Sequence, residues 1–217
     1  MLYTCSYKNF KSDLYKGISI SWDHGKDANF NKSYFDSLAP LKTFFRTWKD
    51  NRGIISEDEN NLYYIREYYR EILSKLDPEK IYKELDNSFL LCYEESDEFC
   101  HRHIVAAWFE LFLNISINEV DVDGLKIDIK ERPEWIKEML ESVIKENTNM
   151  RGFNSLRALY LFNQGEELEK EANEIESVNI DKCNRLRQSA CYMRCEADMA
   201  EEEYNNKRVK KLDNSTS

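Results

Sequence analysis

The chain has 217 residues, 41% hydrophobic and 33% charged, enough for one core of ~100–150 residues with an appendage or for two small domains. A formal net charge of -10 repels nucleic acid over most of the surface, so non-specific duplex binding, which needs a basic face, is not expected. Met1-Leu2-Tyr3-Thr4-Cys5 has neither the charged nor the apolar part of an export leader, no apolar run approaches the ~20 residues of a membrane span, and six cysteines without such a leader fit reduced thiols, so a cytoplasmic protein with no membrane association is expected.

Met1 to Tyr7 and Gly17 to Trp22 read as short strands, because Ile18 and Ile20 alternate with Ser19 and Ser21. Asp23-His24-Gly25-Lys26-Asp27 has turn chemistry, and the chain stays irregular through Ala39-Pro40. Leu41, Phe44, Phe45 and Trp48 then mark one side of a helix. Tyr64, Ile65, Tyr68, Tyr69, Ile72, Leu73 and Leu76 mark a second helix, whose aromatic stripe is core unless exposed as a stacking surface. Asp77-Pro78 supplies an N-cap and a first-turn proline for a third, running through Leu85. Ser88 to Tyr93 is a short, continuously apolar run, the pattern of a central strand buried on both faces. An acidic loop, Glu94 to Glu98, separates it from a helix carrying Ile104, Val105, Trp108, Phe109 and Phe112. Residues 118 to 129 alternate as two short edge strands about a turn at Asp123-Gly124.

From residue 131 the character becomes helical, starting with Trp135, Ile136, Met139, Leu140 and Val143. In the last helix, Cys183, Leu186, Ala190, Met193, Ala197, Ala200 and Tyr204 form a heptad seam that needs a mate. The segment from Phe153 to Ile175, after a turn near Ser177, is one candidate; a second copy of the chain or another protein bound through residues 131–217 is the other. The basic end Lys207-Arg208-Val209-Lys210-Lys211 reads as a solvated helix terminus. The expected architecture is therefore an α/β domain over residues 1–130, a small open and mostly parallel sheet flanked by helices, followed by an all-α extension over 131–217.

Chemistry concentrates in Cys92-Tyr93-Glu94 and Cys100-His101-Arg102-His103, within one strand-to-helix connection. In open α/β sheets the crevice beyond the strand carboxyl ends collects ligands, and a helix beginning there presents free N–H groups to an anion. The expected catalytic groups are Glu94 and His101 as proton carriers and Cys100 as nucleophile or ligand, activated by the helix start and by Arg102. Arg102, Cys92 and Ser21 are the expected substrate-binding residues, with Arg102 holding a phosphate or carboxylate. The alternatives are a salt bridge from Arg102 to Glu94 or Glu98, and buried structural roles for Cys92, Cys100 and His101. On the helix His101 shares a face with Ile104, Val105 and Trp108 and looks inward, whereas His103 points elsewhere, with Ala106, Ala107 and Glu110. No cofactor is expected. Thiolate and imidazole would suit zinc in a site made from Cys92, Cys100, His101 and His103, but the spacing fits no standard finger or ribbon. Glycine-rich phosphate loops, G-x-S-x-G and H-E-x-x-H are all missing.

Leu90-Leu91-Cys92-Tyr93-Glu94 and Phe99-Cys100-His101-Arg102-His103-Ile104-Val105-Ala106 resemble the signature of the family catalogued as domain of unknown function 488. Tyr3-Thr4, Ile18-Ser19-Ile20-Ser21, Leu38-Ala39-Pro40, Trp48-Lys49 and Leu73-Ser74-Lys75-Leu76-Asp77-Pro78 extend the likeness over about residues 1 to 130. The resemblance implies a compact α/β fold whose cysteine-glutamate and cysteine-histidine-arginine elements meet at the sheet's carboxyl edge. Where many relatives end the second strand in aspartate-valine-arginine, this chain has Ile20-Ser21-Trp22 followed by Asp23. Two functions are expected as alternatives: an enzyme or ligand-binding domain for a nucleotide, nucleobase or other small anion, and a non-enzymatic factor engaging a protein through its acidic surface and C-terminal helices.

Overall fold

The computed structural model describes residues 1–26, 28–176 and 179–215, the side chains from 211 onward excepted. Asp27, Ser177 and the Lys211 side chain, which figure in the expected turns and basic end, lie outside the described residues. The chain divides into two compact units, Met1–Asn147 and Thr148–Ser217.

The first unit is built on a seven-stranded sheet of β1 (Tyr3–Ser6), β2 (Phe10–Lys11), β3 (Gly17–Ser19), β4 (Ser33–Tyr34), β5 (Phe89–Cys92), β6 (Asn118–Asp123) and β7 (Lys126–Lys130). The order is β2-β6-β1-β5-β3-β4, parallel throughout, with β7 antiparallel on β6 about the expected Asp123-Gly124 turn. β5 is buried at every residue, and full burial of Leu90 and Leu91 contributes about 1.5–3 kcal/mol each. One sheet face carries Cys5, Tyr7, Phe10, Phe89, Leu91, Val120 and Val122, closed over by Phe30 with Tyr15 and Ala28. Alternation sends Leu90, Cys92 and Glu119 to the opposite face.

Five α-helices among the described residues accompany the sheet in this unit: α1 (Lys42–Asp50), α2 (Glu57–Glu71), α3 (Pro78–Leu85), α4 (His101–Leu113) and α5 (Trp135–Asn147). α2 starts seven residues before the first residue of its apolar stripe, because Ser56 caps it by accepting from the Glu59 N–H at 3.3 Å. Tyr64, Tyr68 and Tyr69 are buried, so the aromatic stripe is core. Asp77 caps α3 ahead of Pro78, as expected. α4 lies against β1 and β5 and ends at Asn114, whose left-handed φ of 53° turns the chain toward β6. α5 packs on α2 and α4, so residues 131–147, grouped on composition with the extension, belong to the α/β unit.

The second unit is a hairpin of α6 (Leu156–Ile175) and α7 (Ile180–Ser215). Contacts of Ser155 with Glu201, Glu166 with Arg194 and Glu171 with Lys182 make the pair antiparallel. The seam closes within the chain: Cys183, Ala190 and Ala197 are fully buried, and a Cβ on Gly165 would stand 3.1 Å from the Ala190 carbonyl oxygen. Among the described residues no helix is long and apolar enough to cross a membrane.

Candidate functional site

Parallel pairing brings the carboxyl ends of β1, β3 and β5 to one sheet edge, with Ser6 beside Cys92 and Ser19 beside Leu91. β5 delivers Cys92 there, the following loop delivers Glu94, and the start of α4 delivers Cys100 and His101. His101 Nε2 lies 2.9 Å from the Ile20 carbonyl oxygen. A carbonyl only accepts, so Nε2 carries the hydrogen, which leaves Nδ1 facing the two thiols. Nδ1 is 3.5 Å from Cys92 Sγ and 4.0 Å from Cys100 Sγ. Both thiols also reach Glu94 Oε2, Cys100 at 3.0 Å and Cys92 at 3.4 Å.

These four groups shift one another's protonation. Burial raises the Cys92 thiol well above its ordinary range, and the adjacent Cys100 and Glu94 add to the rise. Burial, with Cys100 alongside, pushes Glu94 up to about 7. For Cys100 burial acts upward too, but the Cys92 hydrogen bond and the Arg102 and His101 cations outweigh it and bring this thiol well below its usual range. Burial disfavours the charged His101 ring, and the neighbouring Cys100 and Glu94 overcome that and raise its pKa. The two sulfurs and a His101 ring nitrogen lie within 4.8 Å of one another, a grouping able to hold a metal ion.

Cys92, Glu94 and His101 line a cavity of about 220 Å³ together with Ser21, Asp23 and Lys49. Trp22, Phe45, Tyr93 and Pro40 supply its apolar lining. Ser21 and the Tyr93 hydroxyl both donate to Asp23, each at 2.8 Å, which fixes that carboxylate at the rim. Behind Ser21, the Tyr7 hydroxyl bonds to the Ser19 and Ser21 hydroxyls at 2.5 and 2.8 Å. Gly25 packs on the Tyr7 ring, where a Cβ would lie 2.7 Å from two ring carbons, and its φ of +58° suits glycine.

The structure thus brings together Cys92, Glu94, Cys100, His101 and Ser21 of the residues expected from sequence, although Cys100 contacts Glu94 without lining the cavity. Arg102 has a different place from the one expected. Its side chain is fully buried and pairs with Glu119 of β6 through Nη2 at 3.0 Å and Nε at 3.2 and 3.3 Å, while Nη2 also donates to the Glu95 carbonyl. Successive residues on a helix turn by about 100°, so with His101 directed at Ile20, just past β3, Arg102 reaches across β1 toward β6. Neither the cavity nor Glu94 or Glu98 takes its hydrogen bonds. His103 points away from His101 but is equally buried, with Nε2 3.3 Å from Glu119 Oε2, out of hydrogen-bond alignment. Lys49, Trp22 and Phe45 were not expected at the site, whereas Tyr93 belongs to the cluster the sequence singled out. The signals for Lys49 are the Trp48-Lys49 pair in the family likeness and its position four residues after Phe45, and its ammonium sits 4.6 Å from that ring centroid.

A family model described as the active DUF488-N3 subclade matches residues 3–111. The chain belongs to the DUF488 family. No curated protein and no solved structure matches it. The DUF488 match takes in β1 through β5 and all but the last two residues of α4, hence the whole Cys92–Glu94–Cys100–His101 group, and stops before Glu119.

Proposed function

We propose that this DUF488 protein is a small enzyme whose α/β unit binds a nucleobase, a nucleotide or a comparably compact anion in the cavity at the β3–β5 edge. The observation that carries the reading is the convergence of Cys92, Glu94 and His101 on one aromatic-lined cavity. At about 220 Å³ the cavity is smaller than the ~300–1,000 Å³ typical for drug-sized ligands, which favours a planar ring with any phosphate extending outward. Trp22, Phe45 and Tyr93 offer stacking faces, and Lys49 offers a cation at the exposed side. The anion-binding role expected of Arg102 passes in this reading to Lys49, because the Arg102 guanidinium is neutralised by Glu119. Cys92, Glu94 and His101 are the reacting groups, and Cys100 tunes them from behind. The family description, an active subclade, supports an enzyme over a purely structural domain.

The test is a binding screen of nucleobases, nucleosides and nucleoside monophosphates by calorimetry on the full chain, repeated with Lys49→Ala and His101→Gln. Nucleoside monophosphate binding that weakens in both variants while their melting stays close to wild type is the expected result. Failure of every ligand in the screen removes the reading. A second reading draws on α7, where Ile180, Tyr192 and Met199 are exposed: residues 148–217 engage a protein partner. A chain ending at residue 147 that retained all activity would separate the two readings in favour of the enzyme.

A further inference from the structure

The geometry points to a zinc site: we infer that Cys92, Cys100 and His101 bind Zn²⁺ and leave a fourth position open to the cavity. The inference rests on the reading of that cavity as the place where substrate sits, and it specifies the chemistry available there.

A tetrahedral zinc with Zn–S of about 2.3 Å and Zn–N of about 2.0–2.1 Å sets ligand atoms ~3.6 Å apart for sulfur and nitrogen and ~3.8 Å apart for two sulfurs. The observed sulfur–nitrogen separations are 3.5 Å for Cys92 and 4.0 Å for Cys100, and all three donor atoms fall within 4.8 Å of one another. Closing the cage therefore needs shifts of only a few tenths of an ångström to about one ångström. The imidazole is already held as a ligand would be. Its Nε2–H is fixed on the Ile20 carbonyl oxygen, which leaves Nδ1 aimed at the sulfurs. Two thiolates would balance a divalent cation, and two sulfurs with one imidazole select zinc over magnesium or calcium. All three residues are at most 6% exposed, so the cage is shielded from bulk water except through the cavity.

Three protein ligands with one open position is the arrangement of catalytic zinc, whereas structural zinc takes four. Cys92 and His101 both line the cavity, so the open side faces it. Glu94 also lines it and stands 3.0 and 3.4 Å from the two sulfurs, beside the open position and placed to exchange a proton with water held there. The site would thus add a metal-held water to the chemistry of the cavity. Glu94 would be its proton carrier, and Lys49 with the aromatic walls would hold the substrate.

The test uses the full chain, stripped with a chelator, reloaded with zinc chloride and dialysed. Expected are about one zinc per chain and an X-ray absorption shell of two sulfurs near ~2.3 Å and two lighter atoms near ~2.0–2.1 Å. Cys100→Ser should weaken zinc binding by more than ~100-fold, since even outer-shell partners contribute ~10–100-fold. The double variant Cys191→Ser, Cys195→Ser, on the exposed face of α7, should leave binding unchanged. No retained zinc, a shell without sulfur, or loss of zinc in the Cys191/Cys195 variant overturns the inference. The absorption shell is read on the unaltered chain, so a Cys100→Ser chain that failed to fold would not shelter the proposal. Calorimetry with nucleoside monophosphates on the same metal-free and loaded samples keeps the two claims apart. Sulfur-bound zinc without ligand binding upholds the metal site and removes the substrate reading; ligand binding without retained zinc does the reverse.

Discussion

The first turn of α4 supports two polar clusters that differ in almost every respect. Cys100 and His101 face Glu94 and Cys92, and His101 lines a cavity with them, with donors and acceptors shared among groups that can each change protonation state. Arg102 and His103, the next two residues, face Glu119 across the sheet, where Arg102 and Glu119 are side by side with side-chain exposures of 0% and 1%. A consecutive run of reactive residue types is therefore not one site. Helical rotation divides it into an open half that can exchange protons and ligands with the outside and a closed half that holds strand β6 to the helix.

That contrast breaks most sharply at Arg102. Arg102→Ala leaves Glu119 charged and buried without its guanidinium, and unfolding in urea should show a loss of about 3–5 kcal/mol. A loss below about 1 kcal/mol would mean that the closed half holds nothing together. Replacing both members, Arg102→Met with Glu119→Leu, should recover most of that loss, because the desolvation penalty leaves with the charges. In the open half, Cys92→Ser should cost about 1 kcal/mol, since the hydroxyl can still use Glu94 and His101 as partners, yet it should abolish function. Lys49→Ala should change stability by no more than about 0.5 kcal/mol, because the side chain is exposed. Its affinity for a nucleoside monophosphate should fall by about 1.4-fold to fivefold, in keeping with ~0.2–1 kcal/mol for an exposed charge contact, and its affinity for the uncharged nucleoside should not move. Equal loss for both ligands would relocate the anion site.

Much of this was readable from the amino acids, and the gaps have physical causes. β5, the caps of α3 and the alternation of β6 and β7 all declared themselves, since each is a local pattern several residues long. β2 and β4 are two residues each, too short to show any period, and are held by pairing to distant strands. The convergence of Cys92, Glu94, Cys100 and His101 was legible because one short connection contains them all. Glu119 was not, since its partner is 17 residues away and the alternation of β6 says only that it faces opposite to Val120, not that α4 covers that face. Lys49 stood out among the 31 lysines and arginines of the chain only through the Trp48-Lys49 likeness, and only the fold brings α1 to the edge of the sheet.

The acidic run of α7 carries one more consequence. Glu201 accepts from the Asn154 and Ser155 backbone N–H groups at 2.8–2.9 Å and from the Asn154 side-chain amide at 2.8 Å, so a carboxylate of α7 clasps the two residues that lead into α6. Glu202 and Glu203, its immediate neighbours, are exposed. Trimming α7 back to Tyr204 would leave the clasp fastened, whereas a protease cutting ahead of Glu201 would free the start of α6 and let the hairpin fray from that end.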